Sequence, residues 1–110
     1  MDHAVREQDD AIVVELSGDV DLHASPEARR ILLDAVSHGR KVLVDLSKVS
    51  YMDSSGVASL IEALKRARDG GIAFGLVSVP DRPLRVLKLA SLDRVFTIHE
   101  DLAAGLADGA

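Results

Sequence analysis

Apolar residues recur along this chain in short alternating or continuous runs that give way to helical spacing. From Ala11 to Ser17 they alternate, with Ile12, Val14 and Leu16 on one side and Val13, Glu15 and Ser17 on the other. A period of two marks a half-buried strand. A weaker strand is predicted near Ala4 to Glu7, with Asp9-Asp10 as the turn between them. Gly18 to Ala24 reads as a polar loop. Ser25-Pro26 then has the form of an N-cap followed by proline at the first helical position. The helix behind it carries Ala28, Ile31, Leu32, Ala35 and Val36 at helical spacing, and Gly39 closes it.

The second half repeats the alternation of element types. Val42 to Leu46 is almost wholly apolar, as expected of a strand covered on both faces. A helix follows from about Ser55 to Asp69, with Val57, Leu60, Ile61, Leu64 and Ala67 as its core stripe and Gly70-Gly71 as its stop. Ala73 to Val79 is a third main strand, Pro80 to Pro83 a turn, Leu84 to Ser91 a short helix, and Val95 to His99 the last strand. Asp101 opens a terminal helix through about Leu106. Strands separated by helices imply parallel crossovers, so the pattern predicts a small α/β domain over residues 1–110. The extra N-terminal strand makes the sheet mixed.

Composition narrows the function. Aromatic residues make up 3% of the 110 positions and Trp is absent, so the core rests on Val, Ile, Leu and Ala. A formal charge of −5 disfavours binding to nucleic-acid phosphates, and few aromatics remain for base stacking. Without Cys there are no disulfides and no thiolate metal sites. The N-terminus lacks an apolar signal-peptide core, no apolar run approaches the ~20 residues of a membrane helix, and no basic cluster marks an anionic membrane surface. These features predict a cytoplasmic protein that does not engage a membrane.

The candidate chemistry lies where Val42–Leu46 runs on to Asp53-Ser54-Ser55-Gly56 at a helix start. Unpaired N–H groups and the helix dipole make such a terminus tolerant of an anion. A serine there caps the helix through its hydroxyl, or accepts a phosphate whose charge of about −1.5 to −2 disturbs a docked partner more than the fold. On local pattern alone the cap is the simpler account. The loop Gly18 to His23 leaves the end of another strand, and strand ends of α/β sheets lie close together. Asp19 and Asp21 with Ser54 form a donor set that suits Mg²⁺, but turn geometry is the simpler account of Asp19. Hydrolase readings lack support: no G-x-S-x-G surrounds Ser54 or Ser55, the four His residues lack metal-binding spacing, and nothing in the pattern makes His23 a base. No glycine-rich phosphate loop is present.

Three segments resemble the STAS domain family, and within it the stand-alone anti-sigma factor antagonists. LSGDVDLHASPEARRIL is close to the family's L-x-G-[ED]-[LIV]-D followed by a helix. VLVDLSKVSYMDSSGVASLIEALKRA, residues 42 to 67, is close to V-x-x-D-L-[SE]-x-[LV]-x-[FY]-[MI]-D-S-[ST]-G-[LV]. LRVLKLASLDRVFTIHED is similar to the family's final helix and strand. The resemblance implies a mixed sheet of four to five strands, with about four helices packed mainly on one face, and no catalysis, metal or cofactor of the chain's own. It implies that Ser54 is phosphorylated by a serine-kinase anti-sigma factor using ATP. Unphosphorylated antagonist binds that partner, phosphorylation releases it, and a PP2C-type phosphatase restores binding. Asp21, Asp53, Ser55 and Gly56 match motif positions. Asp19, Leu22, His23 and Ala58 belong to the expected phosphosite surroundings or partner surface, and no small-molecule substrate is expected. The resemblance moves the balance at Ser54 from cap to switch. The alternative it leaves open is a regulatory or scaffold STAS subunit of a lipid-trafficking ATPase or other signalling assembly.

Overall fold

A computed structural model describes residues 1–108. It has one five-stranded sheet in the order β1-β2-β3-β4-β5, in which β1 (Asp2–Gln8) lies antiparallel to β2 (Ala11–Val20) and every later pairing is parallel. The first two strands meet through Asp9 and Asp10, both at positive φ (51° and 66°). Two left-handed residues form the tight turn whose twist matches a hairpin, and Asp tolerates that conformation better than most side chains.

The parallel strands are longer than their apolar patterns predict. β2 continues to Val20, so the first three residues of the expected Gly18–Ala24 loop are strand. Gly18 adopts φ +82° there, beside a shift of register. β3 spans Val42–Met52 rather than ending at Leu46. Opposite two residues of β2 (Glu15 to Ser17) it advances three (Asp45 to Lys48), and opposite one (Gly18 to Asp19) it advances two (Val49 to Tyr51). Each bulge inserts a residue and re-aims the chain. The positions buried in the main core cluster therefore run Val42, Val44, Leu46, then Val49, then Met52, while Leu43 is buried on the other face. A spacing of three hides the strand from a search for period two.

Three helices cover one face. α1 (Ser25–Val36), α2 (Ser54–Asp69) and α3 (Asp81–Leu89) share a single buried cluster with Ile12, Val14, Val44 and Leu76. Ala28, Ala35, Ala63 and Ala67 are buried in it, and such small side chains let helices and sheet approach closely. Ile61 of the expected α2 stripe is only partly buried, while Ala63 is fully buried. Pro80 to Pro83 is the start of α3 rather than a separate turn, because Pro83 sits in the first turn, where no N–H needs an intrahelical acceptor. β4 (Phe74–Val77) and β5 (Thr97–His99) complete the sheet. α4 (Leu102–Ala107) packs on the opposite face, where Leu43 and Val77 point. Gly105 makes that contact possible, since a Cβ there would lie 2.9 Å from Val77 Cγ1 and 3.2 Å from Leu43. Lys41 Nζ donates to the Gly105 carbonyl at 2.6 Å and also to that of Asp108, holding down the end of α4. The mixed sheet with its helices mainly on one face matches the expected class. Among the described residues no helix is long and apolar enough to cross a membrane.

Candidate functional site

The ends of β2 and β3 lie side by side, with Val20 paired to Met52 and Asp19 to Tyr51. From them emerge the turn into α1 (residues 21–24) and the junction Asp53-Ser54 into α2. Asp53 joins the two. Its Oδ1 accepts from the backbone N–H of Ser55 (2.9 Å) and Gly56 (3.1 Å), and its Oδ2 accepts from the N–H of Leu22 at 3.0 Å. One carboxylate thus caps α2 and fastens the neighbouring loop to it.

This corrects the expectation that a serine caps the helix. Asp53 is the N-cap, with extended φ −103° and ψ −174°, and Ser54 is the first helical residue. Asp is as good a cap as Ser, and its second oxygen reaches a donor that a single hydroxyl would leave unmet. Ser54 is exposed, and among the described residues its hydroxyl takes no hydrogen-bond partner. Ser55 is half-buried in the same turn. A similar correction applies at α1: Ser25 is its first residue and Ala24 its cap position, without a side-chain cap bond. The loop carries its own bracing. Asp21 Oδ1 accepts from Ala24 N–H (3.0 Å), and Ser25 Oγ donates to the Leu22 carbonyl (3.1 Å).

Packing fixes the junction from below. A Cβ on Gly56 would lie 2.3 Å from the Val20 carbonyl oxygen and 3.0 Å from Met52 Cγ, so only glycine lets α2 start this close to β2. Ser59, the one buried polar residue among the described residues, shares its hydroxyl between the carbonyls of Ser25 and Ser55, 3.2 Å from each. It thereby ties the starts of α1 and α2 together.

A shallow depression beside the junction is lined by Asp21, Leu22, His23, Tyr51 and Asp53. Leu22 and Tyr51 project large apolar surface into solvent, 72% and 49% exposed. The expected residues Asp21, Leu22, His23, Asp53, Ser54, Ser55 and Gly56 therefore do come together. Ala58 is exposed one helical turn beyond Ser54, on the same flank. Asp19 lies outside the depression on β2, exposed and paired to Tyr51. Among the described residues no cluster of three or more His, Asp or Glu side chains is arranged to hold a metal ion.

Comparison with known proteins decides the family. A model of the STAS domain matches residues 3–105. The chain belongs to the STAS domain family. The anti-sigma-B factor antagonist of Bacillus subtilis is 24% identical over 102 residues, covering 93% of this chain and 94% of that protein. Among solved structures, an anti-sigma factor antagonist from Mycobacterium paratuberculosis superposes with a TM-score of 0.85 at 24% identity, covering 96% of this chain and 90% of the other. The Bacillus cell-fate determinant SpoIIAA in its phosphorylated form gives 0.72 at 19% identity, covering 94% and 96%. Both structural likenesses establish the STAS fold.

Two residues that matter here escape the sequence pattern. Tyr51 is the sole tyrosine of an aromatic-poor chain, and its place on the surface is set by the second bulge of β3. Ser59 sits four residues after Ser55, a spacing that brings its hydroxyl back to the preceding turn.

Proposed function

We propose that this STAS domain is an anti-sigma factor antagonist whose binding surface is switched by phosphorylation of Ser54. The observation that carries the reading is the division of labour at the start of α2. Asp53 does the capping, so the Ser54 hydroxyl is exposed and uncommitted on a braced turn. A modifiable hydroxyl needs access, and a switch needs a fold that survives the modification. Support comes from curated relatives spanning nearly the whole chain, such as the Bacillus subtilis anti-sigma-B factor antagonist.

In this reading the unphosphorylated protein docks a serine-kinase anti-sigma factor through the depression at Leu22 and Tyr51, with Asp21, His23, Asp53 and Ala58 around it. The kinase supplies ATP and the catalytic groups. The Ser54 oxygen attacks the γ-phosphorus, ADP leaves, and the hydroxyl proton passes to a base of the kinase. The chain's own part is to hold Ser54 still and exposed. The phosphoserine adds about −1.5 to −2 charges beside Asp53 and Asp21, in a chain already at −5. The α2 N-terminus tolerates that anion within the molecule. A partner closed over the same turn must desolvate it, and an unpaired buried charge costs several kcal/mol. Binding is lost while the fold persists, and a PP2C-type phosphatase resets the site.

The test is to incubate the protein with its cognate kinase and ATP and to map the phosphate by mass spectrometry. Stoichiometric modification at Ser54, abolished in Ser54→Ala, is the expected result. Modification elsewhere, or none, overturns the reading.

A further inference from the structure

We propose that the docking surface does not end at the Ser54 depression but continues across Tyr51 into a groove on α3, which receives an acidic, apolar segment of the same kinase partner. The inference rests on the antagonist role proposed above and adds the chemistry of a second contact.

Tyr51 is the shared wall. On one side it lines the depression with Leu22 and His23, and on the other a groove with Arg82, Arg85, Val86 and Leu89. Of the five large apolar side chains that the described residues leave exposed, three lie here: Leu22 at 72%, Tyr51 at 49% and Leu89 at 83%. Single exposed apolar residues need no explanation, but concentration of most of them along one stretch does. The surface is also polarised. Asp21 and Asp53 line the depression, and Arg82 and Arg85 line the groove. Arg6, Arg29 and Arg40 each meet a carboxylate of this chain. Arg82 and Arg85 do not among the described residues, and Arg30, Arg66, Arg68 and Arg94 are like them in this; what sets the pair apart is its place beside the exposed Tyr51 and Leu89.

An apolar strip with opposite charges at its ends admits a partner in one direction only. Arg is a preferred residue for planar pairing with carboxylates at interfaces. The occupant therefore carries carboxylates flanking an apolar side chain over α3 and basic groups near Asp21 and Asp53. That polarity sets the register in which Ser54 is presented to the kinase. Neither Ser54 nor Ser55 lines the groove, so it contributes to affinity and partner choice, not to the phosphoryl transfer.

The experiment measures binding of the purified kinase that phosphorylates Ser54, by calorimetry, with four surface variants and Ser54→Glu. Arg82→Glu/Arg85→Glu is expected to weaken binding at least tenfold and Leu89→Ser severalfold. Arg82→Lys/Arg85→Lys is expected to retain most of the affinity. Arg66→Glu, near the far end of α2 and about 18 Å of helix from Ser54, is expected to bind like wild type. Circular dichroism confirms folding, which exposed substitutions leave intact. If the groove variants bind like wild type while Ser54→Glu does not, the groove inference fails and the antagonist reading stands. If the groove variants leave kinase affinity unchanged but alter self-association by light scattering, the groove serves a second copy of this chain and the inference is overturned. If wild-type protein binds no such kinase, the antagonist reading fails and the groove inference falls with it.

Discussion

Replacing Asp53 separates the cap from the switch. In Asp53→Ala the N–H groups of Ser55, Gly56 and Leu22 all lose their acceptor. Loss of an N-cap costs ~1 kcal/mol. Loss of a charge-assisted bond to the exposed Leu22 amide adds ~1–2 kcal/mol, the low end of the range for charged partners because water replaces part of it. The total of about 2–3 kcal/mol corresponds to a fall in Tm of ~8–12 °C for a domain of this size. Asp53→Asn divides the sum. Asn caps as well as Asp, so the bonds to Ser55 and Gly56 survive, but its NH₂ group faces the Leu22 N–H and repels it. That variant is expected to lose about 1–2 kcal/mol, with faster hydrogen exchange at Leu22 and little change at Ser55 and Gly56. Ser54→Ala removes an exposed hydroxyl without a partner, and its cost stays within ~0.5 kcal/mol. Urea denaturation of the three variants with amide exchange by NMR is the assay. If Ser54→Ala is as destabilising as Asp53→Ala, the serine is the cap after all and the reasoning is refuted.

Further outcomes follow from the same contacts. Gly56→Ala forces a Cβ toward the Val20 carbonyl; overpacking of about 1–3 kcal/mol outweighs alanine's helix-propensity gain of just under 1 kcal/mol, so thermal melts are expected to show a lower Tm. Ser59→Ala breaks the tie between the starts of α1 and α2 and is expected to cost ~1 kcal/mol in denaturation and to speed amide exchange in the 21–25 segment. Ser54→Glu places one charge at the α2 N-terminus, and calorimetric unfolding is expected to change by less than ~1 kcal/mol in either direction, since the dipole gain opposes repulsion from Asp53. Lys41→Met frees the last turn of α4, so protection of the Ala104 to Leu106 amides is expected to fall first while the β2 and β3 amides stay protected.

The order of elements and the place of the Asp53-Ser54-Ser55-Gly56 turn at the start of a helix were legible in the sequence. Period two in β2 and the stripe Val57, Leu60, Leu64, Ala67 in α2 report burial that the structure shows, but β2 is not half-buried as expected: Val13 on its other face is fully buried, and Glu15 and Ser17 are partly so. The β3 extension was not legible, because two bulges convert its inward positions to a spacing of three and place Tyr51 on the surface. The cap was misassigned for a different reason. Asp and Ser are nearly equal as caps, so composition cannot say which of Asp53, Ser54 or Ser55 turns into the helix. The extra donor at Leu22, thirty-one residues away in sequence, favours the aspartate, and only the tertiary structure supplies it. That correction frees the serine, so the motif Asp-Ser-Ser-Gly reads as cap, exposed hydroxyl, neighbour and close-approach residue in turn.

The most direct test of the switch is the affinity of the cognate kinase for the same preparation before and after enzymatic phosphorylation, measured by calorimetry with a non-hydrolysable ATP analogue. A buried, unpaired charge costs about 2 kcal/mol or more, so the phosphorylated form is expected to bind at least ~30-fold more weakly while its melting curve stays close to that of the unmodified protein. Equal affinity of the two forms, or loss of binding accompanied by unfolding, contradicts the account.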